Sequence, residues 1–466
     1  MDTAAIVDQD PERQGDPSRR GFVARLAMIL AGAAALPACS RRSTSTESAA
    51  AAETQRRPAA PGGGPRQARH RLPPVEPVVR VRVGKIRGSA APVRIGAERQ
   101  WVRVSLVDAD AGQTGIALHG PLRARIGDSG WSIIDARGVR ASLEGLEPVE
   151  LSAVDSAEGL LAFEDLRYPG SIRLVARTDL GPGAFDVVNH VSIEAYLPGV
   201  VSKELYQHWH PQTHAAQAIA ARSFACSEHA QFGHRHYELT NTASSQVYVG
   251  SVKHHRAVEA VAMTRGTVLS YDGLLVPGYY SSCCGGLAAN AMDAIGPSPL
   301  NDVPPLHGRE GEDVCVDAPV FRWTVERPEP TLRQRLIAYG RAKKHPDLPK
   351  LARLTSIEVA ASNRHRRPTR YAITDEAGLI VQLSAKGMRD AVNYDGPGLK
   401  PPKRRLWSSN ITVAVRDGRA VFEGRGFGHG VGLCQHGAET LARDGRDYRG
   451  ILAWYYPGAD LVKAYG

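Results

Sequence analysis

Cysteine is scarce in this chain. There are six in 466 residues, and no two stand in a C-x-x-C spacing, so the commonest zinc-binding signature is missing. Long hydrophobic runs are missing too. The apolar stretch "VARLAMILAGAAALPA" covers Val23 to Ala38, sixteen residues, where about 20 are needed to cross a bilayer. Hydrophobic residues make up 42% of the chain, which suits a soluble core and not a membrane bundle. No internal repeat is present, which excludes solenoid and propeller arrays. Acidic residues are in deficit, with 48 against 58 lysines and arginines, giving a net charge of +10. A basic protein attracts polyanions, of which nucleic acid and an anionic envelope polymer are two kinds.

The N-terminus chooses between them. "SRRGFV" (Ser18 to Val23) sets twin arginines ahead of the apolar run, the arrangement of a signal for export in the folded state. The run ends in "LPAC", and Cys39 after small residues resembles a bacterial lipobox, whose cysteine is acylated. A plain secretory signal with an incidental cysteine is the alternative. Residues 1–39 therefore read as a twin-arginine lipoprotein signal, and export argues against a nucleic-acid partner. Residues 40–76, rich in Ser, Ala, Pro, Gly and Arg, read as a disordered tether of roughly 30–35 Å average span.

The rest reads as α+β. Residues 77–190 hold alternating or β-branched runs such as "VVRVRVG", "WVRVSLVD" and "SIRLVART" between glycine and aspartate turns, which are strand signals. The signal turns helical over residues 191–466. Ser192 caps "IEAYLPGVVSKELYQHW", where Pro198 and Gly199 predict two short pieces with a bend. Pro211 opens an alanine-rich helix that Gly233 closes. Residues 297–350, rich in proline and charge, read as a surface excursion, and residues 355–423 return to strands.

Several stretches carry chemistry. In "GRGFGHGVGLCQHGA", Gly424 to Ala438, glycine takes every second position from Gly424 to Gly432. This is the strand period and not the G-x-G-x-x-G spacing of a dinucleotide loop. It predicts a strand with one bare face, closely approached by a ligand or another backbone. Glu204 follows Val200 and Val201 on a predicted helix, and apolar company favours the protonated carboxyl. A lone helical glutamate is otherwise a solvated charge, and Lys203 beside it would oppose the shift. Arg222 on the alanine-rich helix needs a carboxylate or carbonyl partner, so a structural ion pair and ligand binding stand level. Cys284 and Cys315 could form a disulfide, share a zinc ion or remain thiols. Adjacent Cys283 and Cys284 are expected to face different surroundings, and Cys226 reads as core.

In order along the chain, "VVNHVSIEAYLPGVVSKEL", "HAAQAIAARSFA", "SSQVYVG", "GYYSSCCGG" and the glycine-rich stretch through "YYPG" resemble the motif set of the stage II sporulation protein D family. The family includes amidase-enhancer lytic proteins of bacterial walls. The resemblance covers roughly residues 78–464. It implies a peptidoglycan lytic transglycosylase that prefers glycan strands stripped of stem peptides, with Glu204 as the catalytic acid and base. It implies that Arg222, Gln246, Tyr248, Ser282, Arg425, His429 and Gln435 line a glycan groove, and that no cofactor is required. A non-catalytic wall-binding module that stimulates an amidase is the rival reading. A zinc hydrolase built on Cys284, Cys315 and His429 is a third. The chain departs from the family pattern at Cys434, His436, Ala288-Ala289 and Ser245. Those departures bear on subsite contacts and on any zinc site of the family, and leave Glu204 untouched. The expected location is the cell envelope, through lipid on Cys39. Replacing Cys39 by Ser is expected to abolish lipid labelling and release the chain from the membrane fraction; unchanged fractionation and labelling would rule out the lipobox.

Overall fold

The computed structural model describes residues 69–466, apart from 89–91, 108–114, 155–158 and 312–313. Cys39, the signal and most of the predicted tether lie outside the described residues. The architecture is α+β, as the patterning implies. Among the described residues, no helix is long and apolar enough to cross a membrane.

The β-rich part forms two sheets. A seven-stranded sheet runs in the order Leu239–Thr240, Val78–Ile86, Phe185–Ser192, Ser171–Ala176, Val149–Ala153, Trp101–Leu106 and Ile116–His119. A six-stranded sheet has Val93–Ile95 and Leu122–Gly127 at its centre, with Gly130–Ile134 beside the latter. Alternation along Val78–Ile86 buries Val79, Val81 and Val83 on one face, as the period-two pattern requires. Trp131 of one sheet meets Phe185 of the other edge-on, with ring centroids 5.3 Å apart.

The last residue of the strand Phe185–Ser192 caps the helix α1 (Ile193–Glu204), accepting the Ala195 N–H on the Ser192 hydroxyl. Pro198 and Gly199 do not break α1 into two pieces; it runs as one helix of 12 residues. Gly199 serves close approach instead. A Cβ there would stand 2.2 Å from the Gly250 carbonyl oxygen and 2.8 Å from the Tyr248 ring.

The helix α2 (Pro211–Phe232) is buried on every side from Thr213 to Glu228. Its alanines explain how: small side chains let α1, the helix α3 (His255–Met263) and the strand Thr267–Tyr271 all come close to one axis. The tightest approach is at Gly278, where a Cβ would lie 2.1 Å from the Ala220 carbonyl oxygen.

Residues 297–350 are not simply a surface excursion. From Arg322 the chain enters a second hydrophobic core that gathers Val325, Leu332, Leu336, Leu354, Ile357, Tyr371, Ile373, Met388, Ile411 and Phe422. Two three-stranded sheets and the helices Glu329–Ala342 and Ala385–Val392 surround it. The helix Glu329–Ala342 hides its apolar stripe in few residues. Only Leu332 and Leu336 are fully buried apolar groups on it, one turn apart amid arginines. This second core opens and closes on the strand pair Arg322–Pro328 and Arg419–Arg425, so it hangs directly on the glycine-rich stretch.

Gly278→Ala is expected to destabilise the fold by about 1–3 kcal/mol, because the added methyl group overpacks α2 against backbone. Urea unfolding of the two proteins measures it, and equal midpoints would contradict the close approach.

Candidate functional site

Glu204 is the last residue of α1. A carboxylate there faces the negative end of the helix dipole, and the side chain is 0% exposed. Burial pushes its pKa up from 4.5 to about 7, against the opposing pull of hydrogen bonds from Gln435, Tyr280 and the Val247 backbone. Neither a cation nor a second carboxylate acts on it. Lys203 points to solvent and leaves the shift unopposed.

Three chain segments meet at this carboxyl. The residues Tyr280–Ser281 pair in parallel with Leu433–Cys434. That pairing places Tyr280 and Gln435 side by side. The Tyr280 hydroxyl donates to Glu204 Oε1 at 3.2 Å, and Gln435 Nε2 donates to Oε2 at 3.2 Å. Gln246 sets the direction of the first bond. Its Nε2 donates to the Tyr280 hydroxyl at 3.0 Å and its Oε1 accepts from the Tyr196 hydroxyl at 3.1 Å, so the Tyr280 proton is left for Glu204. Gln217, on α2, accepts a second bond from Gln435 Nε2 at 3.4 Å. Two polar atoms in this cluster, Gln217 Nε2 and Gln435 Oε1, are buried without a hydrogen-bond partner among the described residues. Buried polar groups are almost always paired, so these two stand ready for hydroxyls of a ligand.

The glycine-rich stretch is a strand as far as Arg425 and again at Leu433–Cys434. From Gly426 it is not a flat strand with one bare face. Gly426, Gly428, Gly430 and Gly432 have φ values of 77°, 102°, 76° and 65°, a region that side chains rarely adopt. The period of two therefore reports alternating backbone handedness. Close approach is also present: a Cβ at Gly432 would lie 2.1 Å from the Tyr279 carbonyl oxygen. Between the glycines, Phe427 leans on Trp407 with ring centroids 5.7 Å apart, and Trp407 lies 6.0 Å from Trp323. The Trp323 indole N–H is fixed by the Gly426 carbonyl at 2.8 Å. All three rings are half-buried.

The expected lining residues divide into two groups. Gln246 and Gln435 belong to the Glu204 cluster. His429 lies on the same glycine-rich stretch, nearly buried, with Nδ1 accepting the Val431 N–H at 3.0 Å. Arg425, half-buried, ends the strand before the first left-handed glycine. The Ser282 carbonyl accepts the His436 N–H at 3.1 Å, and His436 meets Trp209 edge-on, with centroids 5.0 Å apart.

Two expectations need correction. The Arg222 guanidinium pairs with Glu194 at 2.9 and 2.8 Å, and its other donors go to Thr264, Thr267 and Val261. It has no donor left for a ligand. The same pair, assisted by the Gly266 N–H and the Tyr465 hydroxyl, holds the Glu194 carboxyl low against burial. Tyr248 is core: it donates to Asn189 at 3.0 Å and packs on Tyr196 with ring centroids 4.7 Å apart. Sequence reasoning missed Tyr280 and Gln217 as site residues, although both lie inside the motifs that pointed to the site. It also missed Trp323 and Trp407, which no local pattern ties to the glycines.

Neither of two acidic residues in or near the sequence motifs, Glu194 and Asp293, shares the site. Glu194 is held by Arg222, and Asp293 is exposed. Glu228 is another buried carboxyl pushed up to about 7 by burial. It stands eleven residues beyond Gln217 on α2, about 16 Å along the axis at the helical rise of 1.5 Å per residue.

The cysteines gather more closely than expected. Cys283 Sγ lies 3.5 Å from Cys315 Sγ, and Cys284 Sγ lies 3.7 Å from it. The two adjacent cysteines thus share one neighbour instead of facing different surroundings. His429 is not part of the cluster able to hold a metal; its members are Cys283, Cys315 and Cys434.

Residues 182–271, which include α1, Glu204, α2 and Gln246, match the family model described as SpoIID, stage II sporulation protein. The chain carries a stage II sporulation protein D domain. An uncharacterized protein of Brachyspira hyodysenteriae is 28% identical over 378 residues, 78% of this chain and 94% of the relative. The amidase enhancer of Bacillus subtilis is 24% identical over 296 residues, 57% of this chain and 40% of that protein. The stage II sporulation protein D of Bacillus subtilis is 24% identical over 300 residues, 59% of this chain and 76% of the relative.

The raised carboxyl makes a stability prediction for this domain. A buried Glu204 favours folding while protonated; that contribution is complete below pH 4.5 and is lost as pH rises through about 7. Glu204→Gln removes the dependence. Its stability relative to wild type is expected to improve between about pH 5 and about pH 8.5, by up to about 3 kcal/mol. Urea unfolding at both pH values measures it, and a constant difference would mean that Glu204 does not titrate in that range.

Proposed function

We propose that this protein is a peptidoglycan lytic transglycosylase with Glu204 as its general acid and base. The observation that carries the reading is a single fully buried carboxyl, pushed up to about 7 and oriented by Tyr280 and Gln435. Such an acid is about half protonated at neutral pH, which suits a group that first gives and then takes a proton.

Among the described residues no second carboxylate acts on Glu204, and that also selects the reaction. Glycoside hydrolases ordinarily place two carboxyls about 5–9.5 Å apart, one of them to activate water or to attack the sugar. A transglycosylase needs neither. Glu204 gives its proton to the bridging oxygen as the C1–O bond breaks. The resulting carboxylate takes the proton of the muramic acid C6 hydroxyl as that oxygen bonds to C1. The product is a 1,6-anhydro sugar, and Glu204 ends as it began. The rings of Trp323, Trp407 and Phe427 supply apolar faces on which sugars stack. Strands without stem peptides expose lactyl carboxylates, for which Arg425 is the basic residue placed on the glycine-rich stretch.

Glu204 is enclosed, so the glycosidic oxygen meets it only after part of the enclosure swings aside. Gln435 covers one carboxyl oxygen through a single amide group, so its displacement is the simplest opening. A glycan substrate in the wall agrees with the export signal and lipid anchor read at Cys39, and with a wall amidase as partner.

The second reading is a non-catalytic module that binds glycan and stimulates an amidase. The name of one relative, amidase enhancer, and the complete enclosure of Glu204 favour it. One experiment separates the two. Purified glycan strands are incubated with wild type and Glu204→Gln, and the products are read by mass spectrometry. The enzyme reading expects anhydro ends from wild type, at least about 10²-fold fewer from the variant, and equal binding of both to insoluble wall. It also expects activity to fall as pH rises past about 7, where the acid form is lost. Wild type that yields no anhydro ends while binding the wall would leave the binding module standing.

A further inference from the structure

Four of the six cysteines come together from three distant parts of the chain. Cys283 and Cys284 follow the strand Tyr280–Ser281, Cys315 stands thirty-one residues on, and Cys434 directly precedes Gln435. All four are buried, at 0%, 3%, 1% and 1% exposure. The sulfurs of Cys283, Cys315 and Cys434 lie within 4.8 Å of one another, with Cys283 and Cys315 at 3.5 Å. A point equidistant from three such sulfurs is about 2.0–2.8 Å from each, which brackets the zinc–thiolate bond of about 2.3 Å. Cys284 Sγ, 3.7 Å from Cys315 Sγ, offers a fourth sulfur beside the triangle.

A buried cation stands next to this cluster. The Arg367 guanidinium is 2% exposed and donates to the Cys284 and Leu287 carbonyls at 2.6 and 2.8 Å. Its partners among the described residues are these carbonyls and no carboxylate, and its Nη2 has no hydrogen-bond partner there. A buried charge needs a counter-charge, and the buried sulfurs beside it supply one once they are thiolates. Neutral thiols would leave the arginine uncompensated. Three thiolates around a divalent ion carry one net negative charge and four carry two, so either set opposes the guanidinium charge. Backbone N–H groups also face the cluster: the Cys284 N–H points at Cys434 Sγ at 3.4 Å, the kind of contact that steadies metal-bound thiolate.

We propose that Cys283, Cys315 and Cys434, with Cys284 as the fourth sulfur, form a structural site for a thiophilic divalent ion of the zinc class. Binding releases the thiol protons and leaves the metal and sulfur oxidation states unchanged. The ion would clamp the turn after Tyr280, the segment at Cys315 and the start of the helix Gln435–Arg443. Tyr280 and Gln435 are the two side chains that grip Glu204, so the clamp would fix the registry of that grip. It stands whether Glu204 is a catalytic acid or not. A disulfide is the competing use of these thiols, and it would join two of them and leave the others out of the bond.

The test uses the full chain, purified without chelator and then loaded with zinc or with cobalt. Elemental analysis is expected to find about one metal per chain after desalting. Cobalt loading is expected to give sulfur-to-metal charge-transfer bands together with the intense visible bands of a tetrahedral site. Cys434→Ser is expected to lose at least about nine-tenths of the bound metal, and Cys226→Ser none. Chelation is expected to lower the melting temperature of wild type and leave Cys434→Ser unmoved. Wild type with under about a tenth of an equivalent of metal after loading would overturn the proposal. So would an intact-mass measurement showing a disulfide among these cysteines in the freshly purified chain.

Discussion

A single carboxyl held out of water is the constraint around which this domain is arranged. An isolated buried carboxylate is costly, so Glu204 can be enclosed only if it keeps its proton or is met by donors. The fold does both. Tyr280 and Gln435 donate to its two oxygens, and burial keeps its pKa near neutrality. Each donor is itself held: Tyr280 through Gln246 and Tyr196, Gln435 through Gln217. The chain from Tyr196 to Glu204 links α1 back to its own C-terminal residue through two other segments, so the site is tied at both ends of one helix. Removing the carboxyl should therefore change stability in a pH-dependent way, since burial disfavours only its charged form.

The packing around α2 follows from the same demand. For Gln217 to reach Gln435, α2 must run through the middle of the domain with structure on every side. Only a helix of alanine-sized residues allows three neighbours so close, and Gly278 marks where even a methyl group is too much. The ion pair of Arg222 with Glu194 serves this architecture. It ties α2 to the first turn of α1 and, through Thr264 and the Thr267 carbonyl, to the strand beyond α3. A guanidinium with all its donors engaged is a structural group, whatever the attraction of a cation near an anionic substrate.

The legible features were those with one local cause. Pro211 and Gly233 mark the ends of α2, and β-branched alternation marks the strands. Glu204 was legible because Val200 and Val201 precede it at helical spacing, and both are fully buried. What failed had two competing causes. Pro198-Gly199 signals a break, yet the helix persists because the missing side chain makes room for Gly250 and Tyr248. The glycines from Gly426 to Gly432 have the period of a strand, yet their periodicity comes from left-handed backbone at every second residue. Leu332 and Leu336 give a stripe only one turn long, too little to stand out among arginines. Trp323 and Trp407 reach Phe427 by tertiary packing alone. Arg222 and Tyr248 could not be sorted from ligand contacts without seeing where Glu194 and Asn189 lie.

The glycine-rich stretch explains why the second core sits where it does. The strand pair Arg322–Pro328 and Arg419–Arg425 closes that core, and the chain then leaves directly into Gly426. A left-handed residue at that point turns the backbone sharply, so that Phe427 can bridge to Cys283 while Trp323 holds the Gly426 carbonyl. Moving the second core therefore moves the stretch that carries His429 and ends at Gln435. Its position relative to Glu204 is set by backbone pairing at Cys283, and by the parallel pairing of Tyr280 with Leu433 and Ser281 with Cys434. The position of Glu204's two donors is thus decided at the turn where the cysteines meet, directly before Gln435 and three residues beyond Tyr280.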